Sequence, residues 1–104
     1  MSKNVVKNKQ YLFLLLNTTK DQAAALINTV TPEQIALLSE IAYNILRLPL
    51  EKAAASLVKR NRTLFEQLAT EKVTNSKKKL LLSKHYKPFL MTLWALKPQL
   101  MQLQ

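Results

Sequence analysis

The stretch TPEQIALLSEIAYNIL, residues 31–46, decides the fold, because it holds a signalled helix start and a complete core-facing stripe. The Thr31 hydroxyl can cap a helix, and Pro32 suits the first helical position, where no backbone donor is needed. Glu33 complements the positive end of the helix dipole, and Gln34 can reach back to the cap. Ile35, Leu38, Ile41, Ala42, Ile45 and Leu46 then recur at the three-and-four spacing of a helix with one buried face. Pro49 sets the end, since the residue before a proline is pushed out of helical geometry.

Upstream of this helix, Val5 to Leu16 is dense in apolar residues, with Leu12, Leu15 and Leu16 on one face. Asn17 and Thr18 break it, and Thr19 with Gln22 has the form of a capping box opening a second helix, Lys20 to about Asn28. Downstream, Leu50 to Lys72 reads as one long periodic segment. Leu57, Leu64, Phe65 and Leu68 share one arc of it, and Lys52, Lys59 and Arg62 the opposite arc. Val73 to Ser76 is a short connection in which Asn75 or Ser76 can cap a fifth helix carrying Lys77, Lys78, Lys79, Leu80, Leu81 and Leu82. Pro88 is read as its end, and Phe89 to Leu103 as a last helix bent at Pro98. The chain is thus predicted to be all-α, a small compact bundle of five to six helices. Ile35, Leu38, Ala42, Ile45, Leu57, Leu64, Phe65 and Leu68 should be buried together.

Composition supports the helical reading. Glycine is absent from all 104 residues, which counts against primed hairpins, β-bulges and glycine-rich phosphate loops. The length suits one domain, and a hydrophobic content of 48 % suits a folded core. Cysteine is also absent, which excludes disulfides, thiolate zinc sites and a cysteine nucleophile. The apolar run Tyr11 to Leu16 is shorter than a secretory core, and Lys97 and Pro98 interrupt the best candidate for a membrane span. An intracellular, non-secreted protein is expected.

The net charge of +10 is unevenly placed. Between residues 59 and 87, Lys59, Arg60, Arg62, Lys72, Lys77, Lys78, Lys79, Lys84 and Lys87 face only Glu66 and Glu71. Residues 88–104 carry Lys97 as their only charge. The order of parts is therefore a helical domain over residues 1–87 that includes the basic tract 59–87, then an apolar C-terminal helix over residues 88–104. Lysines in the first turn of a helix oppose its dipole, so Lys77 to Lys79 are not explained by helix stability. A clustered charge of this size fits a polyanion, and contacts to phosphate need no fixed spacing. The nine cations are the predicted nucleic-acid contacts, with DNA the expected form.

The helix that carries Lys77 is the one placed to enter a groove, but the usual turn glycine is missing and nothing fixes a recognition helix. Sequence-independent binding is therefore expected. Tyr86, Phe89 and Trp94 beside the tract could stack on bases, although aromatics at helical spacing are more often core. In the tail, Phe89, Leu93, Trp94, Leu96 and Leu100 form an apolar face predicted to meet a partner, a second copy, a bilayer or the domain itself.

No catalytic constellation is legible. His85 is the only histidine and has no carboxylate pair at ligand spacing. Asp21, Glu33, Glu40, Glu51, Glu66 and Glu71 are scattered, and Ser39, Ser56 and Ser83 lack a nearby base and a glycine elbow. A non-enzymatic protein with no cofactor, no metal and no small-molecule substrate is expected.

Residues 31–83, TPEQIALLSEIAYNILRLPLEKAAASLVKRNRTLFEQLATEKVTNSKKKLLLS, resemble a family of small basic proteins of adintoviruses and related Polinton (Maverick) elements. In that family a lysine-rich segment precedes a glycine pair and an apolar tail similar to that of the adenovirus core-peptide precursor. Here residues 77–100, KKKLLLSKHYKPFLMTLWALKPQL, keep the order basic, Phe-Leu, then leucines. Lys87 and Pro88 stand where the glycine pair would be. The resemblance implies a virion core or genome-packaging component found in the virion or host nucleus, and the domain before the basic tract is expected to supply self-association or docking to a capsid protein. It assigns no catalytic residue. Two other readings stand beside it: a helical oligomerisation or capsid-docking module, and a membrane-active basic and apolar segment.

Overall fold

The computed structural model describes residues 9–101. Among these, eight helices and no strand follow in order: α1 (Lys9–Leu16), α2 (Lys20–Asn28), α3 (Pro32–Ile45), α4 (Lys52–Arg60), α5 (Arg62–Ala69), α6 (Asn75–Lys84), α7 (Tyr86–Ala95) and α8 (Lys97–Met101). The fold is all-α. The part of the first expected helix before Lys9, and the part of the last beyond Met101, lie outside the described residues.

Helix α3 starts as its sequence dictates. The Gln34 N–H donates to Thr31 Oγ1 at 3.2 Å, and the Thr31 N–H donates to Gln34 Oε1 at 3.0 Å, closing the capping box. At α2 only half of the box forms. Thr19 accepts from the Gln22 N–H at 3.2 Å, while the Gln22 side chain takes the Thr18 hydroxyl instead. The cap of α6 is Thr74, which accepts from the Lys77 N–H at 3.2 Å, so the expectation of Asn75 or Ser76 is displaced by one or two residues.

Two breaks raise the helix number from the expected five or six to eight. The segment read as one helix over residues 50–72 is divided at Asn61, whose backbone sits at φ −110°, ψ 23°. Its side-chain amide donates to the Leu57 carbonyl at 3.0 Å, an alternative to the helical ladder that asparagine commonly offers. The division also changes the phase of the buried stripe. Ala54 and Val58 are buried and Leu57 only half-buried, whereas Leu64, Phe65 and Leu68 are buried as expected. The second break is at Leu96. Pro98 has no N–H to continue the ladder, so the chain restarts and Pro98 falls in the first turn of α8. Pro88 likewise lies in the first turn of α7 and does not precede it.

The tail belongs to the core. Helix α7 packs against α1, α2, α4 and α6. Phe89, Leu93, Leu96 and Leu100 are buried in the same cluster as Leu15, Ile27, Leu38 and Phe65. The Phe65 and Phe89 rings meet with centroids 5.7 Å apart. Trp94 Nε1 donates to the Leu15 carbonyl at 2.8 Å, and Lys97 donates to Asn17, so both tie the tail to the end of α1. One buried cluster thus includes residues on both sides of positions 87 and 88. A radius of gyration of 12.3 Å agrees with the value of about 13 Å for a compact domain of about 100 residues.

Tyr11, in the core, carries a pH consequence. Burial pushes the Tyr11 hydroxyl from 10.0 up to about 12, and the hydroxyl donates to the Leu26 carbonyl at 3.2 Å. Because the folded state favours the neutral phenol, its contribution is fully present below pH 10 and is lost as pH rises through 12. Urea unfolding should find wild type more stable than Tyr11→Phe at pH 8. That advantage, about 1 kcal/mol for one hydrogen bond, should be erased and reversed by pH 12, because wild type alone loses about 2 kcal/mol over this range. An advantage unchanged across this range would show that Tyr11 ionises as freely folded as unfolded.

Candidate nucleic-acid interface

Helix α6 is oriented by what it buries. Leu82 and Lys78 turn inward, and the helix lies against α2, α3, α5 and α7. The other tract lysines of this helix, Lys77, Lys79 and Lys84, are exposed. On the neighbouring elements Lys59, Arg60, Arg62, Lys72 and Lys87 are exposed as well. Among the described residues, Arg62 is the one tract cation in an ion pair, its Nε donating to Glu66 Oε1 at 2.6 Å on an open surface. Such an exposed pair is weak and is screened by salt.

Lys78 departs from its expected role as a phosphate contact. Only 5 % exposed, it donates from Nζ to Ser39 Oγ at 3.0 Å, which ties α6 to α3. Burial lowers its pKa from the ordinary lysine value, and the nearby Glu71 carboxylate opposes that shift. Three identical letters in a row thus have two fates. The outer lysines diverge to either side of the helix and the middle one anchors it.

Lys78 and Ser39 open onto a cleft of about 440 Å³ lined also by Glu40, Tyr43 and Glu71. Its two carboxylates repel phosphate, so the cleft is not where a polyanion would lie. On its rim the Arg47 guanidinium stacks 3.6 Å from the Tyr43 ring centroid and donates to the Tyr43 carbonyl. Sequence reading missed the Ser39–Lys78 pair because 39 positions separate the two residues. A signal did exist in the spacing of Lys78, Leu82, His85 and Phe89, which continues an inward stripe through the lysine run.

The expected partner-binding face is not free. Phe89, Leu93, Leu96 and Leu100 face the chain's own core, and Trp94 is half-buried with its N–H bonded to Leu15. Phe89, fully buried, offers no ring face for base stacking. Tyr86 is half-buried against the core. Among the described residues the large apolar side chains left exposed are Leu14, Tyr43, Met91 and, at 71 % the most exposed, Leu80 between the α6 lysines.

Among the described residues no helix is long and apolar enough to cross a membrane, and no group of His, Asp or Glu is assembled to hold a metal ion. Compared with known proteins, the chain matches no family model, no curated protein and no solved structure.

Proposed function

We propose that this chain is a non-enzymatic nucleic-acid-binding structural protein that neutralises phosphates through the exposed cations of α4 to α7, largely without regard to sequence. The observation that supports this reading most is that Lys59, Arg60, Lys72, Lys77, Lys79, Lys84 and Lys87 are exposed on a folded scaffold and make no ion pair among the described residues. A surface that only needed solubility would intersperse both signs of charge. Here Glu66 and Glu71 are the only carboxylates across the whole tract. Phosphate contacts require exposed lysine or arginine and tolerate variable geometry, which a set of cations spread over several short helices provides.

Genome packaging in a virion, in the host nucleus or with a capsid protein as a further partner, is the setting that the resemblance of residues 31–83 to the adintovirus family supports. The membrane-active reading is weakened because the apolar tail it relied on lies inside the core, whereas an interaction module allowed the tail to pack there. Measuring solution mass with and without a random-sequence 20-base-pair duplex at low salt tests the proposal. Protein and duplex should co-elute as a complex whose mass exceeds that of either alone. Separate elution at low salt would refute nucleic-acid binding.

A further inference from the structure

The exposed face of α6 carries an apolar residue at its apex, and the lysines flank it. At about 100° per residue, Leu80 points away from the buried Lys78 and Leu82. Lys84 and Lys77 fall about 40° and 60° to one side of Leu80, and Ser76 and Lys79 about 40° and 100° to the other. A helix that only followed the outside of a phosphate backbone would gain nothing from a leucine held in water at its most protruding point. The same residue on a helix seated in a groove would face base edges, with the cations on both flanks directed at the two phosphate walls.

We propose that α6 seats in the major groove of duplex DNA and that Leu80 packs on thymine methyl groups. This rests on the nucleic-acid-binding reading and gives it a docking mode. The dimensions agree: the major groove is about 12 Å wide and admits an α-helix, and ten residues span about 15 Å. The thymine C5-methyl is the one apolar group exposed on the groove floor, and an aliphatic side chain can recognise it without fixed hydrogen-bond geometry. Arginine, glutamine and asparagine are missing from the neighbourhood of the α6 apex, and the flanking lysines are directed at the phosphate walls. The result is a mild preference for A·T-containing duplex above a phosphate-driven background.

An anionic bilayer could also attract lysines around a leucine. Surface-bound helices, however, need a broad apolar face, and α6 offers Leu80 alone between polar neighbours.

The test uses the full chain and fluorescence anisotropy at low salt, with two duplexes of identical A·T sequence, one containing thymine and the other deoxyuridine. Wild type should bind the thymine duplex about fourfold more tightly for each methyl covered. Leu80→Ala should bind the two duplexes equally and keep the salt dependence of wild type. Leu80 is exposed, so the substitution leaves the core intact. Equal wild-type binding to both duplexes would overturn the docking mode while leaving phosphate binding standing. So would a thymine preference that survives in Leu80→Ala. Leu80→Ala losing attachment to phosphatidylserine vesicles while keeping its thymine preference would assign the face to a bilayer and overturn the docking mode. Absence of binding to either duplex would remove the function reading, and this inference with it.

Discussion

Phe89→Ala should lower the unfolding free energy by about 3 to 5 kcal/mol, a large part of the roughly 5 to 15 kcal/mol that holds a domain together. The Phe89 ring is fully buried and meets Phe65 at 5.7 Å, while its helix touches α1, α2, α4 and α6. Removing it opens a cavity where four helices converge. Met91→Ala, on the exposed side of the same helix, should cost no more than about 0.5 kcal/mol. Urea titration of the two variants separates a structural tail from a docking tail. If Phe89→Ala were as stable as Met91→Ala, the tail would not be part of the core.

The second large effect concerns charge. Replacing Lys77, Lys79, Lys84 and Lys87 by Gln should flatten the plot of log affinity against log salt by about 3 to 4, since each phosphate contact contributes about 0.9 to the slope for B-DNA. Replacing Lys3, Lys7, Lys9 and Lys20 removes equal charge and should change the slope far less. Net charge alone therefore cannot account for a difference between the two quadruple variants. Lys78→Gln is a separate control. Its ammonium is spent on Ser39, so it should leave the slope unchanged and lower stability instead. If Lys78→Gln flattened the slope as much as one of its neighbours, the division of the lysine run into two contacts and one anchor would be wrong.

What the sequence made legible was local. Thr31, Pro32 and Gln34 announce α3 because every interaction they make closes within four residues, and the structure forms each of them. The Leu12, Leu15 and Leu16 stripe and the Phe89, Leu93, Leu96 and Leu100 stripe were legible for the same reason, since helical spacing alone puts them on one face. Where those faces dock is a matter of tertiary packing. The tail stripe was equally compatible with a partner, a bilayer or the domain until α7 was seen lying among α1, α2, α4 and α6. The break at Asn61 was hidden because an asparagine within a helical pattern can either continue it or bond back to the preceding turn. Prolines 88 and 98 misled in a specific way. A proline forbids the ladder behind it and is well tolerated in a first turn, so it marks the start of the next helix as readily as the end of the last.

The basic tract was legible as composition and only partly as a site. Counting cations placed Lys78 with its neighbours, yet its burial between α3 and α6 depends on Ser39, far away in the sequence. Conversely, Leu80 read as one of three equivalent leucines, although Leu82 is core and Leu80 is the most exposed large apolar residue described.

The measurement that bears most directly on phosphate neutralisation by this surface is the salt dependence of binding of the intact chain to a random-sequence duplex. With six of the exposed cations in contact, log affinity should fall against log salt with a slope of about −5, and two unrelated sequences of equal A·T content should give the same line. A chain that ignores duplex at low salt, or binds with a slope near zero, would contradict it.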